Sequence, residues 1–264
     1  RVIFGDHAAD DTRLTEVLGE LMSLGNKMPG EPGPEYPELI ELIEGHLTKA
    51  EAGSLAAMIA ETPAPPGGAA SQVIHWLMAM GDTLAANTLR ALAALATHPE
   101  QQAEVRNEIA AADISTPEGV ASLKYLAGCL LEAMRLWPTT GLFARVTTRE
   151  VEFPNGMVLP EGQQVLIYNV FNPRNRAAIP YADRFSPGEW VSGTAADDWS
   201  FNFMSHGPQG CPGYGMSVFL GQAVVANLIK SGKLSVDGVG MDPGKPLPYS
   251  VDLFGFRVQV DPTT

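Results

Sequence analysis

The chain has 264 residues, of which 45% are hydrophobic and 18% are charged, and its formal net charge at pH 7 is −13. This composition is typical of a globular protein with a sizeable core, and the acidity argues against nucleic acid and against an anionic membrane surface as partners. No apolar run approaches the ~20 residues needed to span a bilayer, and the two cysteines offer no disulfide framework. We therefore expect a cytoplasmic protein.

The first elements are amphipathic helices separated by glycine and proline. Apolar residues at helical spacing predict a helix over residues 11–22 and a second helical stretch over residues 38–61, broken near Gly53. Residues 25–37 are rich in Gly and Pro and predict a loop. The Pro- and Gly-rich residues 62–68 predict a stop to the preceding helical stretch.

A long helix follows over residues 70–97, which lack proline and are dense in Ala and Leu. At 1.5 Å per residue it measures on the order of 40 Å. Because it is apolar nearly all round, we expect it to be central and buried. Gly81, Asp82 and Thr83 are poor choices inside such a helix, and a threonine hydroxyl that bonds back to a carbonyl opens a helix locally. The alternative is a slightly bent core helix with a solvated aspartate.

Further helices are predicted between the long helix and Pro138. A helix is predicted from residue 100 to 111, and Thr116 with Pro117 has the pattern of an N-cap and first turn. It leads into a helix that includes residues 123–136 and ends at Pro138.

Small β elements are predicted in the second half. Residues 143–152 and 163–170 are β-like and joined through the turn signal Pro-Asn-Gly at 154–156. A long ordered loop is predicted up to Gly193, and residues 249–260 alternate like a pair of strands around Gly255. We therefore predict a mainly α fold with small β-sheets.

Cys211 lies in a glycine-rich loop directly before an apolar helix predicted over residues 214–230. Gly207, Gly210 and Gly213 permit positive φ and close approach of the backbone. The amides at the start of the helix favour negative charge, and hence a thiolate. We expect a partly buried thiolate that is a nucleophile, a redox centre or a metal ligand. The alternative is a small residue packed under a helix.

The spacing Gly207-x-x-x-Cys211-x-Gly213 resembles the haem-ligand loop of the cytochrome P450 family, in which this cysteine is the axial thiolate. The resemblance implies haem b (iron protoporphyrin IX) with Cys211 on its iron and with Gly207 and Gly213 at the cofactor, where His206 would supply a polar contact in place of the family's basic residue. For His206 the alternative is a satisfied loop histidine. The loop departs from the family at Met204, which replaces an aromatic residue, and at Gln209, which replaces a basic one.

Glu132 and Arg135 lie three residues apart and so share one helix face. On a surface such a pair contributes little, but this helix is otherwise apolar. The pair matches the Glu-x-x-Arg of the P450 family, whose third partner is matched by Arg184 in Asp-Arg-Phe. The resemblance implies that Glu132, Arg135 and Arg184 form a buried structural network on the haem side.

The resemblance also gives roles to three other places. Asp82 and Thr83 match the family's acid–alcohol pair, in which the alcohol hydrogen-bonds dioxygen and the acid relays protons. Arg145 matches a cation that pairs with a haem propionate, the alternative being a surface arginine at a strand edge. The substrate pocket would include Ala79, Met80, Leu142 and Phe143. The family's usual glycine at position 80 is Met80 here, with Gly81 beside it.

The resemblance covers almost the whole chain but begins inside the family's sequence. It implies that residues 1–264 are one haem-thiolate domain, the C-terminal portion of a soluble, bacterial-type P450 fold that is N-terminally incomplete. The missing N-terminal portion, or a partner, would complete the pocket. The implied activity is a monooxygenase that inserts one oxygen atom into an apolar small molecule, with electrons from a ferredoxin or flavin reductase.

Two alternative functions differ in class. One is a haem peroxygenase driven by hydrogen peroxide, against which the Asp82-Thr83 pair weighs, because peroxide-driven members generally lack it. The other is a non-catalytic P450-like partner protein, which would have no need of Cys211.

Overall fold

The computed structural model describes residues 1–27, 33–63, 65 and 68–262. Its contacts divide the chain into two compact units, Arg1–Asp82 and Thr83–Thr264. Both are mainly helical, and the strands of the described residues form three two-stranded sheets. The predicted fold class, mainly α with small sheets, is confirmed. The single haem-thiolate domain stays a prediction.

The first unit contains helices α1 (Thr12–Lys27), α2 (Tyr36–Leu47), α3 (Leu55–Ala60) and α4 (Gly68–Met78). Its buried apolar side chains are Ile3, Phe4, Leu14, Val17, Leu39, Ile43, Ala56, Ala70 and Val73. The predicted break between the second and third helices is present, and Gly53 has a φ of 86° there. The predicted loop at 25–37 is shorter, because α1 continues to Lys27 and α2 begins at Tyr36. Residues 28–32 of that loop, and residues 64, 66 and 67 of the predicted stop, lie outside the described residues.

The predicted long helix is interrupted at its centre. After α4 the chain takes a π-helical turn, Ala79–Leu84, before α5 (Ala85–Thr97). The π-turn holds no buried residue, whereas most of α5 is buried. The predicted opening is therefore present as a wider helical turn. The hydroxyl that bonds back belongs to Thr88, whose Oγ1 donates to the Leu84 carbonyl at 2.8 Å.

The next three helices are α6 (Pro99–Ala110), α7 (Pro117–Ala121) and α8 (Lys124–Leu136). Thr116 caps α7 as predicted, because its Oγ1 accepts from the Gly119 amide at 3.1 Å. The start of α8 is capped from α6: the two carboxylate oxygens of Glu108 accept from the amides of Tyr125 and Leu126 at 2.7 and 2.9 Å. A carboxylate at a helix N-terminus satisfies free amides and complements the helix dipole.

Strands β1 (Leu142–Val146) and β4 (Gln164–Tyr168) pair antiparallel, and β2 (Val151–Glu152) pairs with β3 (Val158–Leu159). The predicted turn is present with Gly156 at φ 81°, but it closes the inner β2–β3 hairpin. The predicted long loop contains a short helix, α9 (Gly188–Val191).

The last elements are α10 (Tyr214–Ser231), β5 (Gly232–Asp237) and β6 (Arg257–Pro262). The predicted strand pair around Gly255 is wrong, because β6 pairs with β5 and residues 249–256 form no strand. Helices α5, α8 and α10 supply most of the second unit's buried core. Among the described residues no helix is both long and apolar enough to cross a bilayer.

Candidate functional site

The loop that carries Cys211 is fixed by its own backbone. The Cys211 amide donates to the Met204 carbonyl at 2.8 Å, and the Cys211 carbonyl accepts from the Tyr214 amide at 3.2 Å, where α10 begins. Gly207 has a φ of 60°, which favours glycine. The Cys211 side chain is exposed, so the expectation of a partly buried sulfur is wrong for the chain itself. The loop leaves the Cys211 thiol exposed at the N-terminal end of α10.

Ser205 was not predicted as a site residue. Its φ of 58° and ψ of 173° lie in a region that is essentially limited to glycine. A strained residue of this kind costs about 1–3 kcal/mol and persists only where the surrounding structure imposes it. The sequence carries no signal for it beyond its position beside the glycine loop.

His206 stacks on Trp199, with ring centroids 4.6 Å apart and an interplanar angle of 20°. Its Nε2 is buried and has no hydrogen-bond partner within the described residues. A buried nitrogen without a partner is costly, so a satisfied loop histidine is not what the structure contains. His206 and Cys211 line the same cavity of about 260 Å³, together with Trp190, Phe203 and Tyr214.

Behind this loop, Glu132 and Arg135 form a fully buried ion pair on α8. Arg135 Nε and Nη2 each donate to one oxygen of Glu132 at 2.7 Å, and both side chains are 0% exposed. The guanidinium also donates to four backbone carbonyls, those of Pro173, Tyr181, Ala182 and Arg184, at 2.5–3.3 Å. Every part of the guanidinium is thereby satisfied, as a buried charge requires.

The third partner of this network is not the Arg184 side chain, which is exposed. Within the described residues, Arg184 takes part through its carbonyl oxygen, which accepts from Arg135 at 3.0 Å. The Glu132 carboxylate instead accepts from the Trp190 indole Nε1 and from the Ser186 amide, both at 2.9 Å. Arg184 therefore meets the pair through its backbone, its predicted structural role stays a prediction, and Trp190 is the partner that sequence reasoning missed.

Trp190 connects the ion pair to the cysteine loop. Its indole packs edge-on against Phe203, with ring centroids 5.7 Å apart. Phe203 directly precedes Met204, whose carbonyl holds the Cys211 amide. Glu132 therefore fixes the indole, and the indole supports the segment from which Cys211 is held.

These residues fit a haem. Cys211 offers one exposed thiol in a loop that also lines a cavity, and a haem takes one thiolate from the protein. The porphyrin would supply the other nitrogen ligands of the iron, and Cys211 would supply the thiolate. Cys129 is not a competing ligand, because burial raises the pKa of its thiol well above the ordinary value.

A family model described as Cytochrome P450 matches residues 68–247, more than half of the chain. The chain belongs to the cytochrome P450 family. The matched range contains Asp82, Thr83, Glu132, Arg135 and Cys211. The cofactor of this family is haem b.

Three P450 relatives show how much of the family is covered. Cytochrome P450 4c3 of Drosophila melanogaster is 27% identical over 194 residues, 69% of this chain and 35% of that protein. Cytochrome P450 4A6 of Oryctolagus cuniculus is 34% identical over 137 residues, 50% of the chain and 27% of that protein. Cyclooctat-9-en-7-ol 5-monooxygenase of Streptomyces melanosporofaciens is 30% identical over 129 residues, 48% of the chain and 28% of that protein.

The chain thus matches about a third or less of these P450 proteins' own length. They come from animals and from a bacterium, so the bacterial type of this P450 stays a prediction.

The other predicted P450 positions lie on β1 and on the π-turn. Arg145 is exposed on β1, donates to the Ala144 carbonyl at 2.8 Å and lies 5.3 Å from the Phe143 ring centroid. Leu142 begins the same strand and is 52% exposed. The π-turn carries Ala79, Met80, Asp82 and Thr83, with both Asp82 and Thr83 exposed. The roles of all these residues stay predictions.

A second buried ion pair supports the segment that precedes α9. Arg174 Nε donates to Asp183 at 2.9 Å, and its Nη2 donates to the Leu247 carbonyl at 2.6 Å. Arg176 pairs with the other Asp183 oxygen. Burial alone would raise the pKa of Asp183, but the hydrogen bonds from Arg174 and Arg176 hold it below its ordinary value of 3.8.

We expect Asp183→Asn to flatten the acid limb of the stability curve. A carboxyl group whose pKa is lowered by folding stabilises the fold above its ordinary pKa, and that contribution is lost as the pH falls through the folded value. The variant is less stable at neutral pH and loses less stability on acidification. Urea unfolding at a series of pH values measures both effects.

The matched control is Asp242→Asn, which should change the acid limb less, because Asp242 also has a lowered pKa but lies on the surface, where water screens its contacts with the Gly244 amide and Lys245. An acid limb unchanged by Asp183→Asn would contradict the assignment.

Proposed function

We propose that this chain is the haem-ligating part of a haem-thiolate monooxygenase that inserts one oxygen atom from O2 into an apolar organic substrate. The observation that carries the proposal is Cys211, an exposed thiol held by two backbone hydrogen bonds and supported from behind by Trp190 and the buried Glu132–Arg135 pair. The printed name of the Streptomyces relative, a monooxygenase, supports the reaction class.

The residues divide into those that hold haem and those that handle protons. Cys211 would ligate the iron, and Gly207 and Gly213 would let the backbone lie close to the cofactor. A Cβ at Gly213 would lie 3.9 Å from the Cys211 sulfur, so the glycine keeps this side of the thiol open. When bound, haem supplies the oxygen-activating redox chemistry.

Two polar side chains of the second unit suit the propionates. The unpartnered Nε2 of His206 can donate one hydrogen bond. The exposed guanidinium of Arg145 offers several donors to a carboxylate. Within the described residues, no carboxylate of the chain pairs with His206 or with Arg145.

Asp82 and Thr83 would move and hold the protons that oxygen reduction consumes. A π-turn displaces one residue from the regular helical register and is frequent at functional sites. Here it exposes a carboxylate and a hydroxyl in succession. Ala79, Met80, Leu142 and Phe143 are the proposed substrate-facing residues.

Electrons would come from a separate ferredoxin or flavin reductase. We also propose that a preceding polypeptide segment or a partner completes the pocket, since the matched relatives are much longer than the aligned part. The cytoplasmic location stays a prediction.

Haem titration with and without carbon monoxide tests the proposal directly. We expect saturable uptake of haem and, after reduction under carbon monoxide, a band at ~450 nm, which reports thiolate ligation. A folded chain that takes up no haem would support the non-catalytic alternative. Turnover with hydrogen peroxide, and none with a reductase and O2, would support the peroxygenase and contradict the monooxygenase.

A further inference from the structure

Four side chains of the first unit form a continuous line of hydrogen bonds outside the haem-ligand loop. Glu51 Oε1 lies 2.9 Å from His7 Nδ1, His7 Nε2 lies 3.2 Å from His46 Nδ1, and His46 Nε2 lies 2.6 Å from Asp11 Oδ2. We call Glu51, His7, His46 and Asp11 the histidine relay. Its members come from the connection after α2, the N-terminal 3-10 turn, α2 and the residue before α1.

The two imidazoles meet head-on. Their ring centroids are 5.3 Å apart, only about 2 Å more than the distance between the facing nitrogens. That difference is close to twice the distance from a ring centre to its nitrogen, so the two nitrogens lie near the line that joins the centres. Because the two nitrogens point at each other, a metal in the direction of both lone pairs, at about 2.0–2.1 Å from each nitrogen, would need a separation of about 4 Å. A hydrogen atom fits the observed gap.

Counting protons fixes the charge of the relay. Three hydrogen bonds need three N–H groups, because ionised carboxylates only accept. Two neutral imidazoles carry only two N–H groups between them. With one added proton, the relay runs from Glu51 to Asp11 with every bond made. With two added protons, an N–H of His7 faces an N–H of His46, and the central bond is lost.

Both carboxylates of the relay stay ionised in each of these three protonation states. The backbone amides of His7 and Asp6 lower the pKa of Glu51 to about 2. The Leu14 amide and then the His46 side chain lower the pKa of Asp11. The other charged groups of the N-terminal segment, Arg1 and Asp6, pair with each other at 3.4 Å. An added proton of the relay therefore sits on an imidazole nitrogen.

We propose that the histidine relay is a one-proton latch, which ties the N-terminal segment to α1 and α2 most tightly when His7 and His46 share a single added proton. The segment has other bonds that the latch protects. The Ala56 amide donates to the Ile3 carbonyl at 2.8 Å, and Phe4 stacks on His46 with centroids 4.9 Å apart. Gain of a second proton and loss of the first both loosen this attachment.

The latch is tested by following the imidazole signals of the full chain by NMR as the pH is varied. We expect the imidazole signals of His7 and His46 to shift together in two separate steps, as coupled sites do. In His7→Gln, His46 titrates in one step. Exposed His75 on α4 supplies the matched control, because His75→Gln should leave both steps in place.

A second measurement uses hydrogen exchange at a single pH. We expect His46→Gln to raise exchange of the Ala56 amide at least about tenfold over His75→Gln, the range expected when a charge-assisted hydrogen bond is removed. Independent titration of His7 and His46, with midpoints equal to those in the single variants, overturns the proposal. So does a joint shift of both signals on adding Zn²⁺ alone, since that outcome makes the pair a metal site.

Discussion

Replacing Arg135 with methionine is expected to lower the free energy of unfolding of the second unit by about 3–5 kcal/mol, because it leaves Glu132 as a buried charge without its counter-charge. Both side chains are 0% exposed, and the guanidinium makes six hydrogen bonds. Four of these satisfy carbonyls of the segments around Pro173 and Ala182. The variant therefore also frees the backbone that leads to α9 and Trp190.

The chain contains a matched control for this prediction. Arg13 and Glu38 form a pair with the same two 2.7 Å hydrogen bonds, but the side chains are 47% and 42% exposed. Arg13→Met should change stability little, because water screens an exposed pair and solvates the carboxylate left behind. Urea unfolding followed by tryptophan fluorescence reports on both units, because Trp76 lies in the first unit and Trp137, Trp190 and Trp199 lie in the second. Equal effects of Arg135→Met and Arg13→Met would show that burial does not set the strength of the pair.

The sequence predicts the α8 pair well because the information is local. Residues three apart on a helix face each other whatever the tertiary structure, and an apolar helix predicts their burial. The third partner depends on how the chain returns to α8 from 54 to 58 residues away. Arg184 and Trp190 both lie in that returning segment. Only the tertiary path decides that the Trp190 indole, and not the Arg184 guanidinium, reaches Glu132.

Helix caps divide in the same way. Thr116 caps the helix that it precedes, so a short pattern predicts it. Glu108 caps α8 from another helix, and no local pattern reports such a contact. The error at the C-terminus has the same origin: alternation identifies β6 but not its partner, and β5 follows directly on α10.

The conformation of the cysteine loop is only partly predictable from the sequence. Its glycines and the following helix are visible in the sequence, whereas the conformation of Ser205 and the unpartnered Nε2 of His206 follow from the folded loop. A residue with a positive φ is recognisable in advance only where it is glycine. The exposure of Cys211 likewise depends on what the rest of the fold leaves uncovered.

Cys211→Ser is expected to abolish the reduced carbon monoxide band at ~450 nm, because a serine hydroxyl cannot supply the thiolate that produces it. The fold should persist, since Cys211 is exposed and the loop is held by backbone bonds to Met204 and Tyr214. Far-UV circular dichroism and the urea midpoint check that the variant remains folded. A retained band would refute Cys211 as the ligand.

Cys129→Ala is the control, because the two cysteines differ in environment and not in chemistry. Cys129 is fully buried, and burial raises the pKa of its thiol. A thiol reagent should therefore label the native wild-type chain at Cys211 and spare Cys129, without any haem present. Labelling should disappear in Cys211→Ser and persist in Cys129→Ala. Added haem should then protect Cys211 from the reagent, and unchanged labelling at saturating haem would contradict ligation independently of the spectrum.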